Sequence, residues 1–309
     1  MFKGLIRQKL PGLAAVGLEA DGVCLARVER RDGARPQLRT LEFRPLNGAP
    51  LDKLLASLAR DHGLKRARCT TVLNEADYQL VLTEAPEVPP EELKAALRWR
   101  VKDLIDFHIN DATLDVFDLP DTRGAAGRER YVVAARTRAV KERIERLETA
   151  GAGLEIIDIP ELAQRNIALL LPQDAQGVAF LWLKAAGGNL TLTRQGMLYL
   201  TRPLTIGTDM LASAERRHAY LDQLVLEVQR SLDYYESHFR APPIRHLVLA
   251  PLACEIPELL DHLRGSLNLE VGSAELAALL DSDVELPVPL QARCLATLGA
   301  ALREAVGAA

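Results

Sequence analysis

The chain has little that would mark a disulfide scaffold, a metalloprotein or a membrane span. Its cysteines number four, Cys24, Cys69, Cys254 and Cys294, and none forms a Cys-x-x-Cys pair. In a chain of 309 residues that excludes a disulfide framework and reads as free thiols in a reducing compartment. The six histidines show no metal-ligand spacing with each other or with the cysteines. Long apolar runs are missing too. Ile167–Leu171 and Val178–Leu183 fall well short of the roughly 20 residues of a spanning helix. There is no excess of positive charge. A formal charge of -4 argues against nucleic acid as a partner, because such partners favour a basic stripe. Gly-x-Ser-x-Gly, the P-loop and His-Glu-x-x-His are absent, which removes the commonest hydrolase, P-loop and zincin sites.

What is present is an ordinary globular balance, 48% hydrophobic and 26% charged, with room for one large domain or two smaller ones. Met1–Leu18 carries Lys3, Arg7 and Lys9 and is broken by Pro11. It is expected to be a short basic lead-in and not a signal peptide. Leu13–Glu19 and Val23–Arg30 read as strands. Asp21-Gly22 between them predicts a type I′ turn, with positive φ at both central residues. A third strand near Gln37–Arg44, a helix over Leu51–His62 and a buried strand at Cys69–Leu73 follow. The next block opens with a strand at Tyr78–Thr83. Val88-Pro89-Pro90-Glu91-Glu92 then starts a helix, with proline at its first turn and carboxylates over the positive end of its dipole. That helix is expected to run to Phe107, carrying Asp103 and Asp106 as solvated carboxylates. Strands at Thr113–Asp118 and Arg130–Ala135, a loop at Pro120–Gly127 and a helix at Ala139–Ala150 complete the block. Beyond it lie a strand at Leu154–Ile159 and a helix at Pro160–Leu171. Three strands come next, at Val178–Leu183, Leu190–Arg194 and Met197–Leu204, turning at Ala186-Gly187-Gly188-Asn189 and Gln195-Gly196. A broken helix over Asp209–His238, a strand at Ile244–Ala250, a helix at Ile256–Arg264, a short strand at Leu269–Val271 and a closing helix at Pro289–Val306 finish the chain. The order of three strands, helix and strand thus occurs twice, from Leu13 and from Val178.

This doubled order resembles the actin-like ATPase superfamily. Three stretches narrow the resemblance. Leu97-Arg98-Trp99 through Phe107-His108-Ile109, Tyr131–Arg136 with Ile156–Glu161, and Ile206-Gly207-Thr208-Asp209 with Ser231–Glu236 are similar to the PilM family of type IV pilus assembly. The wording is closest to its MshI branch, of MSHA (mannose-sensitive haemagglutinin) pilus biogenesis. The resemblance spans about residues 13–305 and implies an α/β protein of actin-like ATPase fold, with two related halves and a small inserted α+β subdomain. The expected divisions are 1–74 for the first half, 75–152 for the insert, 153–176 for the return to the first half, 177–286 for the second half and 287–309 for the closing helix.

Actin-like ATPases hold phosphate in two hairpin turns, where backbone N–H groups face the anion and a carboxylate organises Mg²⁺. Here the first turn reads Glu19-Ala20-Asp21-Gly22. Glu19 falls where the family has aspartate, and Asp21 where it has glycine. A carboxylate 4 Å from a phosphate charge is repelled by about 4 kcal/mol at an effective dielectric of 20. The second turn, Trp182-Leu183-Lys184-Ala185 ahead of Gly188, offers no carboxylate. Lys184 is read as a solvated strand end. After Ile244–Ala250, Pro251 has no N–H to offer a nest. The expectation is a degenerate site with no catalytic residue, no cofactor and no metal. Mg-ATP binding by an unusual site and a small-molecule kinase of the same superfamily stand as alternatives. The resemblance then implies a cytoplasmic scaffold at the inner membrane, held there through its partner. That partner is a single-span, PilN-like pilus protein, whose N-terminal peptide lies in a groove between the first subdomain and the insert. Other pilus assembly proteins, a motor ATPase among them, would also be partners. Trp99, Phe107 and His108 are the residues expected to touch the peptide.

Overall fold

The structure, a computed structural model, describes residues 10–31, 33–120 and 129–304. The basic lead-in, Asp32, most of the loop after Pro120 and the end of the closing helix lie outside the described residues. In chain order the first elements are β1 (Leu13–Glu19), β2 (Gly22–Glu29), β3 (Gln37–Pro45), α1 (Leu51–Asp61) and β4 (Arg68–Val72). Then come β5 (Tyr78–Glu84), α2 (Pro90–Val101), β6 (Ala112–Asp118), β7 (Glu129–Arg136), α3 (Thr137–Thr149), β8 (Leu154–Asp158) and α4 (Pro160–Ala168). The next are β9 (Val178–Lys184), β10 (Gly187–Arg194), β11 (Met197–Leu204), α5 (Thr208–Ala212), α6 (Arg217–Phe239) and β12 (His246–Leu249). The last are α7 (Leu259–Ser266), β13 (Glu270–Ser273), α8 (Leu276–Leu279), β14 (Asp281–Ser282), α9 (Val288–Arg293) and α10 (Leu295–Ala301).

Contacts group the chain into two units. One holds the residues up to Asn74, Arg138–Ala163 and those from Leu276 onward; the other holds Glu75–Thr137 and Gln164–Glu275. The first unit is built on a sheet of order β14-β3-β2-β1-β4-β8. β1 and β2 are apolar almost throughout, because both faces of the sheet are covered. Ala14, Val16, Leu18, Val23 and Leu25 pack under Leu55 and Leu58 of α1 and Leu147 of α3. The opposite face lies under α10, which comes so close that a side chain on Gly17 would strike the Thr297 hydroxyl. At Gly299 the same helix crosses the backbone of Ala163 in α4 with no room for a Cβ.

The second unit repeats the plan, with a sheet of order β11-β10-β9-β12-β13. In each sheet three antiparallel strands are followed by two parallel ones on the far side of the first. The likeness reaches the register. β2 shifts against β3 after Arg27, and β10 shifts against β11 after Leu192, each five residues beyond a strand-opening glycine. Leu181, Leu183, Leu190 and Leu192 bury one sheet face under α6 and α7. The unit also contains a small sheet of order β5-β7-β6. Val132 and Ala134 of β7 face Leu97 and Val101 of α2. Tyr131 turns the other way, stacks on Phe117 at 5.1 Å and joins the cluster of Tyr235 and Phe239.

Three expectations need correction. The insert helix ends at Val101, not Phe107, because tertiary contacts take over. The backbone N–H of Asp106 donates to Gln79 Oε1 at 2.8 Å, and the Arg136 guanidinium lies 4.3 Å over the Phe107 ring. Asp103 and Asp106 are therefore off the helix. The closing helix is two short helices that break at Cys294. Both hairpin turns sit earlier than expected, at Ala20-Asp21 and Ala185-Ala186, and none of these four residues takes positive φ. Gly22, Gly187 and Gly188 are strand residues. Gly22 is needed because a Cβ there would meet the Phe43 ring and the Arg44 carbonyl. Gln195-Gly196, by contrast, does turn with φ of 52° and 73°.

Replacing an exposed helical glycine by alanine stabilises by about 1 kcal/mol. At Gly299 the sign reverses. Gly299→Ala is expected to destabilise by about 1–3 kcal/mol through overpacking, read as a lower urea midpoint with an unchanged slope.

Candidate functional site

The two hairpin turns keep one backbone design but not their charges, with Asp21 in the first turn and Lys184 on the strand that enters the second. In the first unit Asp21 occupies the turn, and its carboxylate is ion-paired with Arg293 at the end of α9. That guanidinium also lies 4.4 Å over the Phe43 ring. Glu19 closes β1 and is exposed. Beneath the turn, Cys24 and Cys294 come together with sulfurs 2.8 Å apart. Their mutual hydrogen bond, and then burial, push the Cys24 thiol far above its ordinary range. At the carboxyl end of β8, Asp158 is buried. Its Oδ1 accepts from the Ile159 N–H at 2.9 Å and its Oδ2 from Arg303 at 3.0 Å. Arg143 is buried beside the end of β4, donating to the Thr71 hydroxyl at 3.2 Å and the Val72 carbonyl at 2.9 Å. The Thr71 hydroxyl in turn donates to the Val16 carbonyl at 2.7 Å. Asp21 and Asp158 are thus each matched by an arginine from the C-terminal segment.

In the second unit Lys184 is not a solvated strand end. It is ion-paired with Glu75 and lies 5.1 Å over the Trp182 ring. A carboxylate therefore does stand at this turn, brought from just beyond β4, where the sequence around Trp182–Ala185 offers none. The backbone of Gly207 packs directly on the turn, and the Asp209 N–H donates to the Ala185 carbonyl at 3.1 Å. Gly188 is buried in β10, where a Cβ would sit 2.6 Å from the Trp182 carbonyl. Behind the turn lies a buried polar network that sequence reasoning missed. Gln164 Nε2 donates to the carbonyls of Phe180 at 2.8 Å and Asn189 at 3.2 Å, and Thr201 donates to Asn189 Oδ1 at 3.0 Å. Nothing in the spacing of these residues signals the network, because they come from four separate elements. Pro251, after β12, is buried.

The fit to Mg-ATP is poor in each unit taken alone. A phosphate needs backbone N–H groups and a carboxylate free to hold a cation. Asp21 is neutralised by Arg293, Glu75 by Lys184, and Pro251 has no N–H. Among the described residues no group of three His, Cys, Asp or Glu side chains is placed to hold a metal.

The insert presents a different surface. Leu97 and Val101 are buried, and Trp99, on the opposite side of α2, is 73% exposed. Leu104 just beyond the helix is 55% exposed. Arg100 and Lys102 flank Trp99 and are also exposed. Phe107 is half-buried beneath Arg136, which is ion-paired with Asp106 at 2.8 Å. His108 caps the short 3-10 turn that follows, with Nδ1 accepting from the Asn110 N–H at 3.1 Å. Of the three residues, Trp99 alone has no supporting structural contact among those described. No helix in the described residues is long and apolar enough to cross a membrane.

No family model matches this chain, and no curated protein matches it. Solved structures do. A chain of the PilM-PilN type IV pilus biogenesis complex is similar over 94% of this chain and 98% of its own, with a TM-score of 0.70 at 22% identity. A Bacteroides thetaiotaomicron protein with actin-like ATPase fold and unknown function is similar over 95% and 98%, with a TM-score of 0.51 at 9% identity. The cytoplasmic domain of EpsL, an inner-membrane component of the type II secretion system of Vibrio cholerae, aligns over 92% and 94% with a TM-score of 0.48 at 11% identity. The fold is therefore that of the actin-like ATPases.

The geometry separates surface from core within one helix. Trp99→Ala is expected to change unfolding free energy by less than about 0.5 kcal/mol. Leu97→Ala is expected to cost about 2–5 kcal/mol. Gln164→Leu leaves two buried carbonyls short of a donor and is expected to cost about 1–3 kcal/mol. Urea titrations of the three variants check all of these.

Proposed function

We propose that the chain is a scaffold of type IV pilus assembly, of the MSHA and MshI type, which works by holding a partner and not by cleaving ATP. The observation that carries the reading is likeness from end to end with a chain of the PilM-PilN complex, covering 94% of this chain and 98% of that one. In this reading the partner is a PilN-like, single-span inner-membrane protein. The chain binds its N-terminal peptide and stands on the cytoplasmic face of the membrane through it, in reach of other assembly proteins and a motor ATPase. Residues 1–74 and 153–176 serve as the first half of the actin-like core, 75–152 as the insert, 177–286 as the second half and 287–309 as the closing segment. Trp99 is the principal peptide contact, with Phe107 and His108 beside it. An exposed tryptophan is a costly surface feature and a common anchor at interfaces. The pairing of Asp21 with Arg293 and of Lys184 with Glu75 supports a nucleotide site that has lapsed.

A synthetic peptide of the partner's cytoplasmic N-terminus, titrated by calorimetry, tests the proposal. Trp99→Ala or Phe107→Ala is expected to weaken binding at least about tenfold, or 1.4 kcal/mol, with folding intact. Unchanged binding in both variants sinks the residue assignment. Binding of Mg-ATP tighter than about 100 μM sinks the reading of a lapsed nucleotide site.

A further inference from the structure

The second unit holds a cavity of about 430 Å³ where β10 ends and β12 begins. Two arginines and a histidine, Arg194, Arg245 and His246, line it together with Gln176, Gln195 and a rigid proline pair. No carboxylate is among the lining residues, in a chain whose formal charge is -4. One wall is held stiffly. Asp174 is buried, and its carboxylate accepts from the Thr193 hydroxyl and from the Gly196 N–H, both at 2.6 Å. Its carbonyl accepts from the Gln195 N–H at 2.8 Å. That clamp fixes the turn after β10. Arg194, at the strand's end, is fixed in turn by donating Nε and Nη2 to the Gln176 carbonyl. Nη1 is left over.

The other wall carries Arg245, which is exposed on the open side of the cavity. Among the described residues the Arg245 guanidinium has no hydrogen bond and no ion pair, while its backbone carbonyl is held by the Glu270 N–H at 2.8 Å. His246, next to it, has Nδ1 3.4 Å from Glu270 Oε2, which leaves Nε2 for a further partner. An unpaired guanidinium is a fork of donors matched to phosphate and carboxylate oxygens. Two guanidinium groups around one cavity carry two fixed positive charges. A dianion balances both, whereas a single carboxylate leaves one unpaired. The volume lies toward the lower end of the roughly 300–1,000 Å³ of small-molecule sites. We propose that this cavity is a binding site for a phosphomonoester dianion on a small molecule, gripped by Arg245 and Arg194 with His246 beside them. The site shares no residue with the insert surface, so its fate leaves the adaptor reading untouched.

Calorimetric titration of the full chain in low-chloride buffer tests the proposal. The probes are glucose 6-phosphate, inorganic phosphate and hexaglutamate. Either phosphate is expected to bind with a dissociation constant of about 1 mM or tighter. The ratio between the two reads how far the cavity beyond the phosphate is used. Arg245→Gln is expected to weaken phosphate binding at least about tenfold, Arg245→Lys to keep part of it, and neither to shift the melting temperature. Arg194→Gln repeats the test from the other wall. The proposal is overturned by an absence of saturation up to about 10 mM, or by Arg245→Gln binding phosphate as well as the parent chain. Tighter binding of hexaglutamate than of either phosphate also overturns it and assigns the cavity to an acidic peptide.

Discussion

The first unit depends on the chain's end returning to its beginning. β1 and β2 are apolar on both faces, and one of those faces is covered by α10. The approach is tight enough to demand Gly17 opposite Thr297 and Gly299 opposite Ala163. The same return brings Arg293 to Asp21 and Arg303 to Asp158. It also sets Cys294 against Cys24, and carries the Leu302 carbonyl to the Arg30 guanidinium. Packing and charge are therefore delivered by one segment. An exposed ion pair such as Asp21–Arg293 is worth about 1 kcal/mol or less. Burial under α10 supplies the stability, and the arginines neutralise the carboxylates they meet.

The two sheets show that hairpin geometry and hairpin chemistry are separable. Each middle strand opens on a glycine, pairs through a two-residue turn and shifts register five residues later. Those features depend on crowding by neighbouring backbone, and they persist in both units. The charges around the turns depend on single side chains, and they differ: Glu19 and Asp21 stand in the first unit where Lys184 and Ala186 stand in the second. A hairpin frame can therefore be kept while the charged side chains on it change, and two of them, Asp21 and Lys184, are paired within the protein.

Much of the fold was legible because its signals are local. Apolar alternation marks the strands, and Pro89-Pro90-Glu91-Glu92 marks a helix start. The doubled element order pointed to two related sheets. What escaped reading is tertiary. Gly22 and Gly187 resemble turn residues, yet they sit in strands because Phe43 and Leu204 crowd them. The stop of α2 at Val101 is set by Gln79 and Arg136, which belong to other strands. The partner of Asp21 is 272 residues away, and Glu75 reaches Lys184 from 109 residues away. Trp99 was legible because helical spacing alone puts it opposite Leu97 and Val101.

The return of α9 and α10 also sets a timetable. A ribosome releases Leu13 long before Leu302, so β1 and β2 emerge well before the helix that covers them. The middle of the chain, from Glu75 to Glu275 apart from the stretch that returns to the first unit, has all its strands available well before that. Long-range closure of this kind is slow and leaves apolar strand faces bare while it waits. The faces of β1 and β2 that α10 covers thus stay bare until α10 has been made.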